Sequence, residues 1–145
     1  MSVQNPDYFQ VSLKVLLTAK NKCLILKDVS KSRYWKEKYD LPGGRINKKE
    51  IGLDFSQLIN REVREELGTK VRYKLRHDPV ALSKCRYPKE PSKLFILFEA
   101  KYLGGEIKIS PEHSGYKWFK ITRFSLQDNF STVLQKLLTN YLNWN

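Results

Sequence analysis

The stretch Arg61-Glu62-Val63-Arg64-Glu65-Glu66-Leu67-Gly68 decides how this chain reads. It closes a run in which Phe55, Leu58, Ile59, Val63 and Leu67 recur at helical spacing. Asp54 or Ser56 is placed to cap the start and Gly68 to end it, so the pattern predicts an amphipathic helix. Glu62 stands three residues from Glu65 and four from Glu66, spacings that share one helical face. At about 100° per residue the apolar side chains cover an arc of roughly 180° centred near Ile59. Glu62 and Glu66 fall inside that arc and Glu65 at its edge. A helix that needed only solubility would carry these charges opposite the core. Carboxylates crowded at a core boundary repel one another and lose hydration, so they persist only with a compensating cation. A hard divalent ion, Mg2+ or Mn2+, is the natural partner, and it would in turn bind substrate phosphates. With only His77 and His113 in the chain, a zinc site is not expected.

Upstream of the helix, Leu41-Pro42-Gly43-Gly44 is a strong breaker whose glycines let backbone approach a ligand closely. Alone it is an ordinary turn, and it gains meaning only from its place just before the carboxylates. Further upstream, Val11 to Thr18 and Cys23 to Lys27 are apolar runs around the polar turn Ala19-Lys20-Asn21-Lys22, which predicts a β-hairpin. Asp28 to Asp40, with Tyr34, Trp35 and Tyr39, reads as a loop. Downstream, strands are expected at Val71–Arg76, Val80–Tyr87, Lys93–Tyr102, Glu106–Ile109 and Tyr116–Ile121. A final amphipathic helix is expected from Ser131, burying Val133, Leu134, Leu137, Leu138 and Tyr141. Mixed strands with two helices, and no repeat or linker, predict one α/β layered domain over residues 1–145.

Composition agrees. A hydrophobic fraction of 41% with 7 Phe, 8 Tyr and 3 Trp belongs to a globular chain, not a disordered one. No apolar run approaches a membrane span, and the polar start lacks a secretory pattern, so a cytoplasmic protein without membrane contact is expected. Cys23 and Cys85 belong to no CxxC pair and are read as two free, buried thiols. The net charge of +12 favours phosphate-bearing partners. The lysines are scattered, however, and no dense basic tail appears.

Gly44, Glu50 and the segment Arg61 to Gly68 together resemble the Nudix box, G-x5-E-x7-R-E-U-x-E-E-x-G-U with U a bulky aliphatic. Gly44 and Glu50 have the family spacing, and every specified position from Arg61 to Gly68 matches. Two departures stand out. Ten residues separate Glu50 from Arg61 in place of seven, and Thr69 occupies the last aliphatic position. The three extra residues fall within Ile51 to Phe55, so a longer loop and a weakened role for Glu50 are expected. Glu112-His113-Ser114-Gly115-Tyr116-Lys117-Trp118-Phe119 is similar to the family's segment leading into a late strand.

The resemblance implies an α/β/α sandwich around a mixed β-sheet and hydrolysis of a phosphoanhydride in a nucleoside-diphosphate-linked substrate. The box then implies metal binding by Glu62, Glu65 and Glu66 with the carbonyl of Gly44, and Gly43 as a further member of the shell. It implies that Arg61 holds the glutamates by charge-assisted hydrogen bonds. Glu50 becomes a base or orienter, and Glu112 a metal ligand or general base. Among polar and aromatic residues, Arg45, Trp35, Tyr39 and Lys84 are the leading substrate-binding candidates. Arg33, Tyr34, Tyr87, Phe95 and Trp118 are further ones, most of the aromatics being expected in the core. A small nucleotide such as a nucleoside triphosphate is the first substrate class and an RNA 5′ end the second. A nucleotide- or RNA-binding module without catalysis is the alternative, which the intact glutamate set disfavours. Monomer and homodimer stay open.

Overall fold

In the computed structural model, residues 4–28 and 38–144 are described. Its spine is β1 (Phe9–Ala19), which turns through Lys20 and Asn21 into β2 (Lys22–Asp28). Both turn residues have positive φ, 49° and 68°, the two-residue geometry whose twist matches an antiparallel pair. The remaining strands are β3 (Tyr39–Asp40), β4 (Gly43–Arg45), β5 (Arg72–Leu75), β6 (Ala81–Cys85), β7 (Ser92–Gly104) and β8 (His113–Phe119). The sheet runs β3-β2-β1-β7-β5, with β4 added to β1, β6 to β7 and β8 to β2. β1 and β7 are parallel in register from Phe9↔Ser92 to Thr18↔Lys101, and the other pairs are antiparallel, so the sheet is mixed.

Strand alternation sends the side chains of β1 to two cores. Leu13, Val15 and Leu17 meet Leu58, Ile59, Val63 and Leu67 of α1 (Phe55–Leu67) on one face. Leu16 meets Leu134, Leu137 and Leu138 of α3 (Thr132–Trp144) on the other. Each such buried aliphatic contributes about 1.5–3 kcal/mol, and the two helices that supply them fix the expected α/β/α layering. Asp54 caps α1, its backbone N–H donating to Gln57 Oε1 at 2.9 Å, and Gly68, with φ 92°, ends it.

Several expectations need correction. Glu106–Ile109 forms no strand. Ile107 and Ile109 alternate and pack on the α1 core, but the amides of Lys108 and Ser110 donate to Leu67 O and Glu66 O at 2.9 and 3.1 Å. The segment satisfies the end of a helix and not the edge of a sheet. The late strand begins earlier than expected, at His113. Phe55 opens α1 but remains 45% exposed, tilted against Phe98 at 5.4 Å. One further turn of helix, α2 (Leu126–Asn129), precedes α3. Both cysteines are free, as expected, yet only Cys23 is buried; Cys85 is half-buried at the edge of β6. No helix among the described residues is long and apolar enough to cross a membrane.

Candidate active site

Two glycines and one helix build the site. Gly43 and Gly44 pair with Lys14 and Leu13 of β1, which brings β4 under α1. Gly43 has φ 148°, and a side chain there would strike the carbonyl oxygen of Leu13, so glycine is required. Its N–H donates to Glu66 Oε2 at 2.8 Å. Gly44 faces Glu62. A Cβ built on Gly44 would lie 2.8 Å from Glu62 Cδ and 2.9 Å from Oε2, with Oε1 nearer still. Glu62 is thereby held at the core boundary, 7% exposed. Burial pushes its carboxyl up to about 7, with Glu66 and Glu65 adding to the rise and Arg61 and Lys14 opposing it.

Arg61 is the hub. It reaches Glu50 Oε2 through Nε at 2.7 Å, Glu62 Oε1 through Nη2 at 3.1 Å and Glu65 Oε2 through Nη1 at 3.3 Å. Burial works against its charge, but the Glu62, Glu50 and Glu65 carboxylates together hold the guanidinium above its usual pKa. Glu65, 59% exposed, is the outermost of the box glutamates, as its place at the edge of the helical arc implied.

Despite the insertion, Glu50 stays in contact with Arg61. Lys48–Glu50 make a 3-10 turn after Asn47, whose N–H donates to Glu50 Oε1 at 3.0 Å, and residues 51–53 complete a tight turn into Asp54. The extra chain is spent in that turn, and Glu50 folds back onto Arg61.

From the other side, the chain that enters β8 brings Glu112 and His113. Ligand atoms of Glu66, Glu112 and His113 lie within 4.8 Å of one another, and His113 Nε2 is 3.6 Å from Glu66 Oε1. His113 was passed over in the sequence because two histidines are too few for zinc; its adjacency to Glu112 was the usable signal. Lys14 was also missed. Its amine is nearly enclosed, 3.0 Å from Asp40 Oδ1, and a lysine amid Val11, Leu13, Val15, Leu16 and Leu17 is the mark that could have found it.

The substrate-binding candidates do not converge. Tyr39 is half-buried on β3, with Lys117 Nζ 4.5 Å above its ring. Arg45 is exposed on β4 and, following Gly44, projects from the opposite face of the strand. Lys84 is exposed on β6, beyond β7 and three strand positions from β4. Phe95 is core, and Trp118 stacks on Tyr102 at 5.3 Å. Tyr87 lies beneath Lys93 Nζ at 4.6 Å. Trp35, with Arg33 and Tyr34, lies outside the described residues.

This sheet, with a carboxylate helix packed over a glycine turn, defines a known class. The NUDIX domain family matches residues 9–141, and the chain belongs to the Nudix hydrolase family. A relative, the NAD-capped RNA hydrolase NudC of Stutzerimonas stutzeri (strain A1501), is 28% identical over 141 residues, covering 97% of this chain and 47% of that protein. The chain thus spans about half the length of that curated relative. The MutT protein of Methanosarcina mazei Go1 superposes with a TM-score of 0.74 at 21% identity over 97% of each chain. A UDP-X diphosphatase superposes at 0.72 with 13% identity, over 97% of this chain and 64% of that one. At these identities the structural likeness speaks for the Nudix fold alone.

Proposed function

We propose that this chain hydrolyses a phosphoanhydride bond in a nucleoside-diphosphate-linked substrate, a nucleoside triphosphate or related nucleotide, with Mg2+ or Mn2+. The burial of Glu62 against Gly44, one helical turn from Glu66, carries the reading. The donor set fits a divalent ion. Glu50, Glu62, Glu65 and Glu66 gather around Arg61 and the glycine turn, with Glu112 beside Glu66, and their oxygens are hard ligands. Glu62, raised to about 7, is only partly ionised near neutral pH until a cation favours its charged form.

Glu62, Glu65 and Glu66, with the carbonyl of Gly44, hold the ion in this reading. When bound, it acidifies water and neutralises charge on the diphosphate. Arg61 orients three carboxylates at once, and Glu50 acts through Arg61 as a positioning residue. Glu112, exposed beside Glu66, stands where its carboxylate can join the ligands of the ion. Tyr39 offers a ring for a base.

The test is a panel of nucleoside triphosphates, NAD, a UDP-sugar and triphosphorylated RNA, each with Mg2+ or Mn2+, scored for phosphate, pyrophosphate and nucleoside monophosphate. We expect metal-dependent turnover of a small nucleotide; no metal-dependent release from any member would remove the reading. The charge of +12 and the NAD-capped RNA hydrolase among the relatives favour RNA as a second substrate class. Lys84 belongs to that reading. Three strand spacings, about 14 Å, separate β6 from β4, so Lys84 stands well away from the glycine turn, where a longer, phosphate-rich ligand can reach it. RNA held by about six or more phosphate contacts would lose orders of magnitude in affinity over a fourfold rise in salt, whereas a nucleotide would weaken modestly. Binding to a Glu65→Gln protein across a salt series separates the two.

A further inference from the structure

The segment between β7 and β8 is stitched to the last turn of α1. Lys108 and Ser110 donate their amides to Leu67 O and Glu66 O, and the His113 amide donates to Ser110 O at 3.1 Å. These backbone bonds fix the start of β8 relative to Glu66. The His113 side chain that results is 7% exposed, with Nε2 turned toward Glu66 Oε1 at 3.6 Å. The other oxygen of Glu66 already accepts from Gly43, which leaves Oε1 as the oxygen facing His113. Glu112 closes the group from the solvent side.

A separation of 3.6 Å is too long for a good N–H···O hydrogen bond. It suits two donors bound to one cation. With metal–ligand bonds of about 2.0–2.2 Å, neighbouring donors sit roughly 3.0–3.6 Å apart. The ordinary oxygen set of the carboxylate helix gains here a nitrogen donor. Imidazole suits first-row transition ions, whereas Mg2+ demands oxygen ligands and gives up water reluctantly.

We infer that Glu66, Glu112 and His113 make a mixed nitrogen–oxygen metal position, and that His113 biases this end of the site toward Mn2+ and like transition ions over Mg2+. The inference rests on the reading of α1 as a metal-binding helix, and the experiment separates the two. Wild-type protein loaded with Mn2+ is examined by electron spin-echo envelope modulation for coupling to an imidazole 14N. Mn2+ and Mg2+ affinities are measured by calorimetry for the wild type, His113→Gln and Glu66→Gln. The expected result is 14N coupling in the wild type, its loss in His113→Gln, and a fall in the Mn2+-to-Mg2+ affinity ratio of roughly tenfold or more, the scale on which metal-supporting groups are felt. Absence of 14N coupling in the wild type overturns the inference whether or not the variant folds. If Glu66→Gln then still weakens Mn2+ binding, only the role of His113 has fallen. If Mn2+ affinity is unchanged in Glu66→Gln as well, the metal reading of the helix falls with it.

Discussion

Replacing Gly44 by alanine adds one methyl group at the point where the site is tightest. Gly44 does not have a left-handed φ, so alanine meets no backbone penalty and the effect is confined to its Cβ. That atom would stand 2.8 Å from Glu62 Cδ, where carbon atoms rest at about 3.5–4.0 Å, so the carboxylate must retreat by about 1 Å. Glu62 cannot retreat freely, because Arg61 Nη2 holds its Oε1 at 3.1 Å and the residue is buried. Local overpacking of this kind costs about 1–3 kcal/mol, which leaves the protein folded. A misplacement of about 1 Å in a catalytic constellation costs on the order of 100-fold in rate. Gly44→Ala should therefore lose about 100-fold in turnover of the best nucleotide substrate and bind Mn2+ more weakly by calorimetry. Gly52→Ala is the control, since nothing lies within 4 Å of a Cβ at that glycine. Wild-type turnover and Mn2+ affinity in Gly44→Ala would refute the contact between Gly44 and Glu62 as the anchor of the site.

Three further outcomes are expected. Glu65→Gln/Glu66→Gln should lose Mn2+ binding while remaining folded, and unchanged calorimetric affinity would remove the metal site. Glu50→Gln should lower turnover less than Glu66→Gln, because Glu50 works on Arg61 and not on the ion; equal losses in steady-state assays would place it among the ligands. The metal-free protein should be more stable at pH 5.5 than at pH 8 in thermal melts. The folded-state pKa of Glu62 is raised from 4.5 to about 7, so the folded form holds the proton more tightly and its stabilising effect is lost as pH rises through that window. The difference between these two pH values is at most about 2 kcal/mol, and it should vanish in Glu62→Gln or with saturating Mn2+.

Much of the fold was legible because period and punctuation agreed. The β1–β2 hairpin announced itself by two apolar runs around Lys20-Asn21, and α1 by an apolar arc between Asp54 and Gly68. The placement of Glu62 was legible too, because a charge inside an apolar arc has to be buried or the arc broken. The rest depended on partners far away in sequence. Ile107 and Ile109 carry a strand's alternation, but alternation reports one buried face and not what the backbone bonds to. The position of Glu50 turned on the tight turn at residues 51–53, closed by the Leu53 amide on Glu50 O, which takes up the extra chain and which spacing alone cannot foresee. His113 and Lys14 become visible only when β8 and β4 are set beside α1 and β1.

The backbone stitch from Lys108 and Ser110 to the end of α1 also sets what the chain tolerates. The last turn of a helix is normally where fraying begins, and Glu66 sits on it. Here fraying would have to release the segment 106–113 as well, so a carboxylate near a helix end acquires the steadiness of one in the middle. The turn at residues 88–90, between β6 and β7, can lengthen without moving either end of the stitch. Proline at 108 or 110 is not free, because it deletes the very N–H that holds the helix end.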